Sequence, residues 1–224
     1  MPPMTGNQPG NLPGIFTNYY PPEYERYNSQ YNGQIEAIGW KWWDTQTYVS
    51  AATVNLTNWF NVRATQDLSN MEVAFQLAAP KAFLIRAIRF FVKQRPRSVA
   101  RAAAAAAQTG AVDNIAQLIN TGVFTLTIGN KQYNQEPLWC LTAGAGASGL
   151  MSGEGATADP GAQSDYAQNG IADPRAVNSL AKPIFIAPQI NFSAVLTWPA
   201  ALTLAGGDTA ITILLDGDLL RPVQ

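Results

Sequence analysis

Histidine is missing from this 224-residue sequence, and cysteine occurs once, as Cys140. The chain therefore lacks the usual general acid and base near neutral pH, the commonest metal ligand and the base of most serine and cysteine triads. A single cysteine excludes an internal disulfide and a cysteine-rich metal site. Carboxylate-only catalysis needs two acids flanking one bond, and no spacing in the sequence pairs any two. The sequence predicts a protein that is not an enzyme and uses no cofactor or metal.

Charged residues are also scarce, at 13% of the chain, about half of the roughly 25% that is usual in globular proteins. Apolar residues are ordinary at 47%, and the formal net charge is -1. A polar surface with so little charge is a solubility risk for a free monomer, so it favours a subunit that covers its surface by assembling. An ordinary neutral monomer is the alternative that composition leaves open.

Long apolar runs are missing as well. No stretch of about 18 consecutive apolar residues occurs, so no membrane-spanning helix is predicted. The opening residues, MPPMTGNQPG, contain no basic region followed by an apolar one, and a secretory signal peptide is not predicted either.

Residues 1–34 contain six of the 15 prolines and many Asn and Gln, with neither helical nor strand periodicity. Such a segment buries too little apolar area to offset its ordering entropy alone, whereas tyrosines are good contact groups once a partner surface is present. The segment is predicted to be a flexible N-terminal arm that orders on a neighbouring subunit through five tyrosines: Tyr19, Tyr20, Tyr24, Tyr27 and Tyr31. A flexible tail without such contacts is the alternative.

Strict alternation of apolar and polar residues dominates the remainder and predicts half-buried strands. Over residues 50–62 it predicts an inward face made of Ala52, Val54, Leu56, Phe60 and Val62. Further strands are predicted over residues 71–77, 83–92, 124–128, 132–141, 183–186, 190–198 and 211–215. A Gly129-Asn130 hairpin turn and an Asp216-Gly217 turn are predicted between or after strands.

Two segments interrupt the strand pattern. A helical insertion is predicted over residues 96–120, with one helix from Ser98 to Gly110 and a short second one that begins at Asp113 and ends at Gly122. Residues 144–181 are rich in Gly, Ala and Ser and are predicted to form a long loop. About eight short strands without βαβ alternation favour an all-β, mainly antiparallel fold, a jelly roll or β-sandwich, forming one domain over residues 35–224.

Half of the 14 basic residues cluster between positions 81 and 101, a stretch without Asp or Glu. Such a patch binds phosphate by a sequence-independent electrostatic attraction. Lys81 begins this cluster, and the predicted phosphate- or lipid-facing residues are Arg86, Arg89, Lys93, Arg95, Arg97 and Arg101. The alternative is a solvated helix start with ion pairs to a neighbouring subunit.

Three tryptophans, Trp40, Trp42 and Trp43, follow the arm. Tryptophan at this density is typical of a core plug or a contact anchor. An aromatic platform for sugars is the alternative, and it would make the chain a carbohydrate-binding or adhesin-like sandwich module.

The C-terminal strands carry a resemblance to a known class. The quoted runs are Pro183-Ile-Phe-Ile186, Phe192-Ser-Ala-Val-Leu-Thr-Trp198, Ile211-Thr-Ile-Leu-Leu-Asp-Gly217 and the closing Leu220-Arg-Pro-Val-Gln224. This pattern resembles the final strands of the small jelly-roll capsid proteins of tailless icosahedral bacteriophages.

That resemblance implies a virion structural protein, made in the host cytoplasm and assembled into trimers or pseudo-hexameric capsomers. Its partners would be copies of itself and other virion proteins, with non-specific contact to the packaged genome or an internal membrane and no small-molecule substrate. The arm of residues 1–34 would bridge neighbouring subunits. A phage decoration or fibre-associated protein would share most of these features.

Overall fold

Ten β-strands and two α-helices form the part of the chain that the computed structural model describes, which comprises residues 20–49, 52–62, 65–94, 111–142, 148–152, 164–168, 177, 179–204 and 209–223. In chain order they are α1 (Pro22–Gln30), β1 (Ile35–Tyr48), β2 (Thr53–Trp59), β3 (Ala82–Gln94), α2 (Ala111–Thr121), β4 (Val123–Ile128), β5 (Lys131–Pro137), β6 (Ser148–Ser152), β7 (Ser164–Gln168), β8 (Ser179–Ile186), β9 (Phe192–Thr203) and β10 (Thr209–Pro222). These strands pair with one another antiparallel. The predicted all-β, antiparallel fold class is confirmed.

The strands wind into a jelly-roll-like sandwich. One sheet has the order β1-β10-β3, with β8 beside the first half of β3 and the β7-β6 hairpin beside its end. The other has the order β2-β9-β4-β5. β1 pairs with β10, β2 with β9, β3 with β8, and β4 with β5. This order of pairing is expected for a long hairpin rolled up on itself.

The inward faces of the two sheets form one apolar core. β3 supplies Phe83, Ile85, Ile88, Phe90 and Val92, each fully buried. Fully burying a side chain of this size stabilises the fold by about 1.5–3 kcal/mol. The opposite face of β3 is also apolar at its start, where Leu84 is fully buried. The strand predicted over residues 83–92 therefore agrees with β3, and the start of this strand is buried on both faces.

β2 turns a different face inward from the one predicted. Val54, Thr57 and Trp59 are buried, whereas Leu56 is 59% exposed. The register against β9 shifts between Val54 and Leu56, so the alternation resumes one residue out of phase. Beyond Val54 the predicted face is wrong except at Phe60, which is buried at a left-handed φ of 68°.

The strand predicted over residues 71–77 is wrong, because the chain turns there. Val73 and Gln76 form an isolated bridge, and Phe75 has a left-handed φ of 59°. The Phe75 N–H donates to the Phe60 carbonyl at 2.9 Å, and the Phe75 carbonyl accepts from the Phe192 N–H at 2.9 Å. These bonds hold the turn against the end of β2 and the start of β9, which are neighbours in one sheet.

The turn predicted at Asp216-Gly217 is wrong as well, since β10 runs straight through these residues to Pro222. Its register against β3 shifts between Asp216 and Gly217. A Cβ at Gly217 would overlap the Leu84 carbonyl oxygen. Glycine is required here because two backbones approach closely. Turns use glycine as well, so this residue by itself does not distinguish a turn from a close approach of two strands.

The helical and loop predictions have mixed outcomes. α2 agrees with the predicted second helix, and its residues Ile115, Leu118 and Ile119 are buried in the core. The helix predicted from Ser98 to Gly110 lies outside the described residues. The predicted loop over 144–181 contains β6, β7 and the start of β8, so it is wrong for those residues. The predicted hairpin at Gly129 joins β4 to β5, with a φ of 58° at the glycine.

Candidate interaction surfaces

Helix α1 packs on the outer face of the β1-β10-β3 sheet. Tyr27 is its anchor, only 4% exposed. Around it lies a second apolar cluster, separate from the main core, which we call the tyrosine cluster. It comprises Tyr27, Ala82, Leu84, Phe185 and Leu220, flanked by Tyr20, Tyr24, Tyr31, Ile35 and Ala187.

Ring contacts and hydrogen bonds fix α1 in place. Tyr20 stacks on Tyr24 with ring centroids 4.4 Å apart, and Tyr27 contacts Tyr31 edge to face at 5.0 Å. The Tyr27 hydroxyl donates to the Pro80 carbonyl. Burial, and then the neighbouring Tyr31, raise the pKa of Tyr27 to about 12.

Tyr27→Phe is expected to flatten part of the protein's loss of stability at alkaline pH. The folded chain holds the Tyr27 proton more tightly than the unfolded chain, whose tyrosine pKa is 10.0. This contribution to the free energy of unfolding is present below pH 10 and is lost as the pH rises toward about 12. Urea unfolding between about pH 8 and pH 11 measures the difference. Parallel pH profiles for the two proteins would contradict it.

Four of the five tyrosines of the predicted arm pack within their own chain. Tyr20, Tyr24, Tyr27 and Tyr31 contact this chain's own sheet, and Pro22–Gln30 is helical. The link from α1 to β1 is residues 31–34, which span at most about 14 Å, so the helix lies close to the start of β1. The prediction of an arm without regular structure is wrong over the helix. Tyr19 lies outside the described residues.

A ladder of ion pairs crosses the same sheet face beside the first turn of α1. Arg86 donates to Asp218 through Nε at 2.7 Å, and Arg89 donates to Asp216. Lys41 lies 4.0 Å from the same Asp216 carboxylate. Burial raises the pKa of Tyr24, and the nearby Tyr20 and Asp218 raise it further while Arg86 lowers it. Partly exposed pairs of this kind each contribute about 1 kcal/mol or less.

The ion-pair ladder limits which residues of the basic segment are available to bind phosphate. Arg86 and Arg89 already face carboxylates of their own sheet, so their charge toward an outside phosphate is largely neutralised. Lys93 is exposed on β3, and Arg95, Arg97 and Arg101 lie outside the described residues. A sequence signal for the ladder existed, since Asp216 and Asp218 are two apart and share one face of a strand.

Two grooves are lined in part by residues of β1 and β10. One, of about 390 Å³, is lined by Gly39, Trp40, Lys41, Trp43, Asp216 and Gly217. The other, of about 660 Å³, is lined by Glu36, Pro80, Lys81, Arg221, Pro222 and Val223.

The three clustered tryptophans have different environments. Trp42 is a buried core residue, whereas Trp40 is 40% exposed. Trp43 donates its indole N–H to the Gln66 carbonyl at 3.2 Å.

No family model and no curated protein matches the chain. Within the described ranges, no three His, Cys, Asp or Glu side chains come together as metal ligands, and no helix is long and apolar enough to cross a membrane.

Proposed function

We propose that this chain is a virion structural protein, a self-assembling jelly-roll capsid subunit of a bacteriophage. The observation that carries the proposal is the order of strand pairing. Strands near the two ends of the chain pair with each other, and strands from its middle pair with each other. Jelly rolls of this kind build viral capsids, and also lectins and cupins. Because one fold serves several functions, the proposal also rests on surface chemistry.

Two features of the chain favour the coat subunit among those functions. Its charge content of 13% is low for a protein that stays monomeric. Residues 1–19 contain no Asp, Glu, Lys or Arg, and a segment of that length reaches up to about 60 Å. With α1 held on its own sheet, the arm that bridges subunits is residues 1–19 and not 1–34.

The partners that follow are copies of this chain and other virion proteins, within a particle assembled after synthesis in the host cytoplasm. Contact with packaged genome or an internal membrane would be non-specific and would use Lys93, Arg95, Arg97 and Arg101, because Arg86 and Arg89 have carboxylate partners. The proposed role is structural and needs no catalytic residue, cofactor or small-molecule substrate.

Electron microscopy of the concentrated, purified chain tests this function. Closed shells, or rings of three or six subunits, are the expected result. Isolated monomers at every concentration and salt condition would contradict it. Monomers that bind only to a pre-formed particle would indicate a decoration or fibre-associated protein instead.

A carbohydrate-binding module is a second candidate, and the groove at Trp40 and Trp43 favours it. Aromatic side chains and an Asp-Lys pair, here Asp216 and Lys41, are groups that stack on and hydrogen-bond to sugars. A monomer whose binding to a glycan array is lost in Trp43→Ala would support this candidate over the coat subunit.

A further inference from the structure

The outer face of the β2-β9-β4-β5 sheet differs sharply in charge from the outer face of the β1-β10-β3 sheet. The latter carries the ion-pair ladder and helix α1. By contrast, none of β2, β4 and β9 contains an Asp, Glu, Lys or Arg residue. The remaining strand, β5, contains Lys131 and Glu136, which pair with Ile128 and Phe124 and lie outside the rows described next.

Three rows of side chains cross this uncharged surface, which we call the neutral face. The strand registers give the rows as Leu56, Thr197, Val123 and Pro137; Asn58, Val195, Thr125 and Gln135; and Ser193, Thr127 and Gln132. Each of these residues is exposed or half-buried, with Leu56 at 59%. At the rim, the Lys131 ammonium lies 5.1 Å from the centre of the Tyr133 ring.

The absence of charge restricts what can cover this face. A charged partner would lose hydration there without gaining a counter-ion, which is costly. An identical neutral face loses only the hydration of hydroxyl and amide groups, which can hydrogen-bond to one another. In a two-fold contact each surface meets itself, and any charge on it would meet its own sign. The neutral face is thus complementary to a second copy of itself.

The size of the face indicates how strong such a contact is. Four strands about 4.8 Å apart, each with six residues at about 3.4 Å, make a surface of roughly 400 Å². A stable pair of proteins buries about 800 Å² per partner. One contact is therefore weak, and it becomes effective when it is repeated around a particle.

We propose that the neutral face binds the same face of a second copy of this chain and is one of the contacts between subunits. This inference rests on the proposed coat-subunit function and adds the surface that performs it. It assigns Thr197, exposed on a central strand, to the middle of the contact.

Introducing charge at Thr197 tests the inference. Thr197→Lys and Thr197→Glu are each expected to lower the association constant of the full chain at least about tenfold, because the two-fold axis brings like charges together in a dry contact. Asn58→Lys, at an exposed edge position of the same face, is expected to act in the same direction. Sedimentation equilibrium over a concentration series measures the constants, and thermal unfolding by circular dichroism verifies that each variant is folded.

Thr47→Lys is the matched control, since Thr47 is exposed on β1 in the other sheet and its substitution is expected to leave association unchanged. Wild-type protein that associates, with Thr197 variants that associate as tightly, would overturn the inference and leave the coat function standing. If only one of Thr197→Lys and Thr197→Glu weakened association, the opposing surface would be charged, and this result would also overturn the inference. A wild-type chain that never associates would overturn the proposed function itself.

Discussion

Removing residues 1–34 is expected to lower the free energy of unfolding by about 4 kcal/mol or more, whereas removing residues 1–19 is expected to change it by less than about 0.5 kcal/mol. The longer deletion removes Tyr27 and uncovers the apolar residues beneath α1, Leu84, Phe185 and Leu220. The shorter one leaves every contact of the tyrosine cluster in place. Urea unfolding followed by circular dichroism gives both values.

This pair of deletions also separates folding from assembly. A chain lacking residues 1–19 should fold normally and assemble less, because only the bridging segment is gone. A chain lacking residues 1–34 should be less stable and more prone to aggregation, so its failure to assemble would carry no information about the arm. Equal stability of the two deletions would show that α1 does not hold the sheet and would contradict the structural role assigned to Tyr27.

Gly217→Ala is expected to lower the free energy of unfolding by about 3 kcal/mol or more. The added Cβ would overlap the Leu84 carbonyl oxygen and lie 3.1 Å from the Ile85 Cα. Both are backbone atoms of the central strand β3, which is held between β10 and β8 and cannot shift without breaking the ladder of hydrogen bonds. Chemical denaturation of the purified variant measures the loss.

Gly39→Ala is the matched control for that substitution. Gly39 lies on β1 directly opposite Asp218, and Asp218 is the residue after Gly217. No atom lies within 4 Å of a Cβ added at Gly39. Alanine there is expected to be neutral or slightly stabilising. A Gly217→Ala protein as stable as the Gly39→Ala protein would contradict the close approach of β10 and β3.

The sequence predicted strands best where burial alternates without interruption. β4 is the clearest case, because Phe124, Leu126 and Ile128 face inward and the residues between them face outward. β2 shows where alternation fails as a guide: the register irregularity beside Asn55 changes the face on which the later residues of β2 lie. Such an irregularity depends on the partner strand, which local periodicity does not reveal.

The surface features depend on contacts between distant parts of the chain. α1 is polar apart from its tyrosines and is stabilised by packing, since the Tyr27 hydroxyl meets a carbonyl 53 residues away. The ion pairs of Arg86 and Arg89 join residues 132 and 127 positions apart. A local count of basic residues therefore finds the arginines but not the carboxylates that neutralise them.

The mass of the full chain in solution tests the central claim most directly. Light scattering on a sizing column, over a concentration series, should give discrete multiples of 24.1 kDa that grow with concentration and that shrink when residues 1–19 are removed. A mass of 24.1 kDa at every concentration, with or without those residues, would contradict the account of this chain as a self-assembling coat subunit.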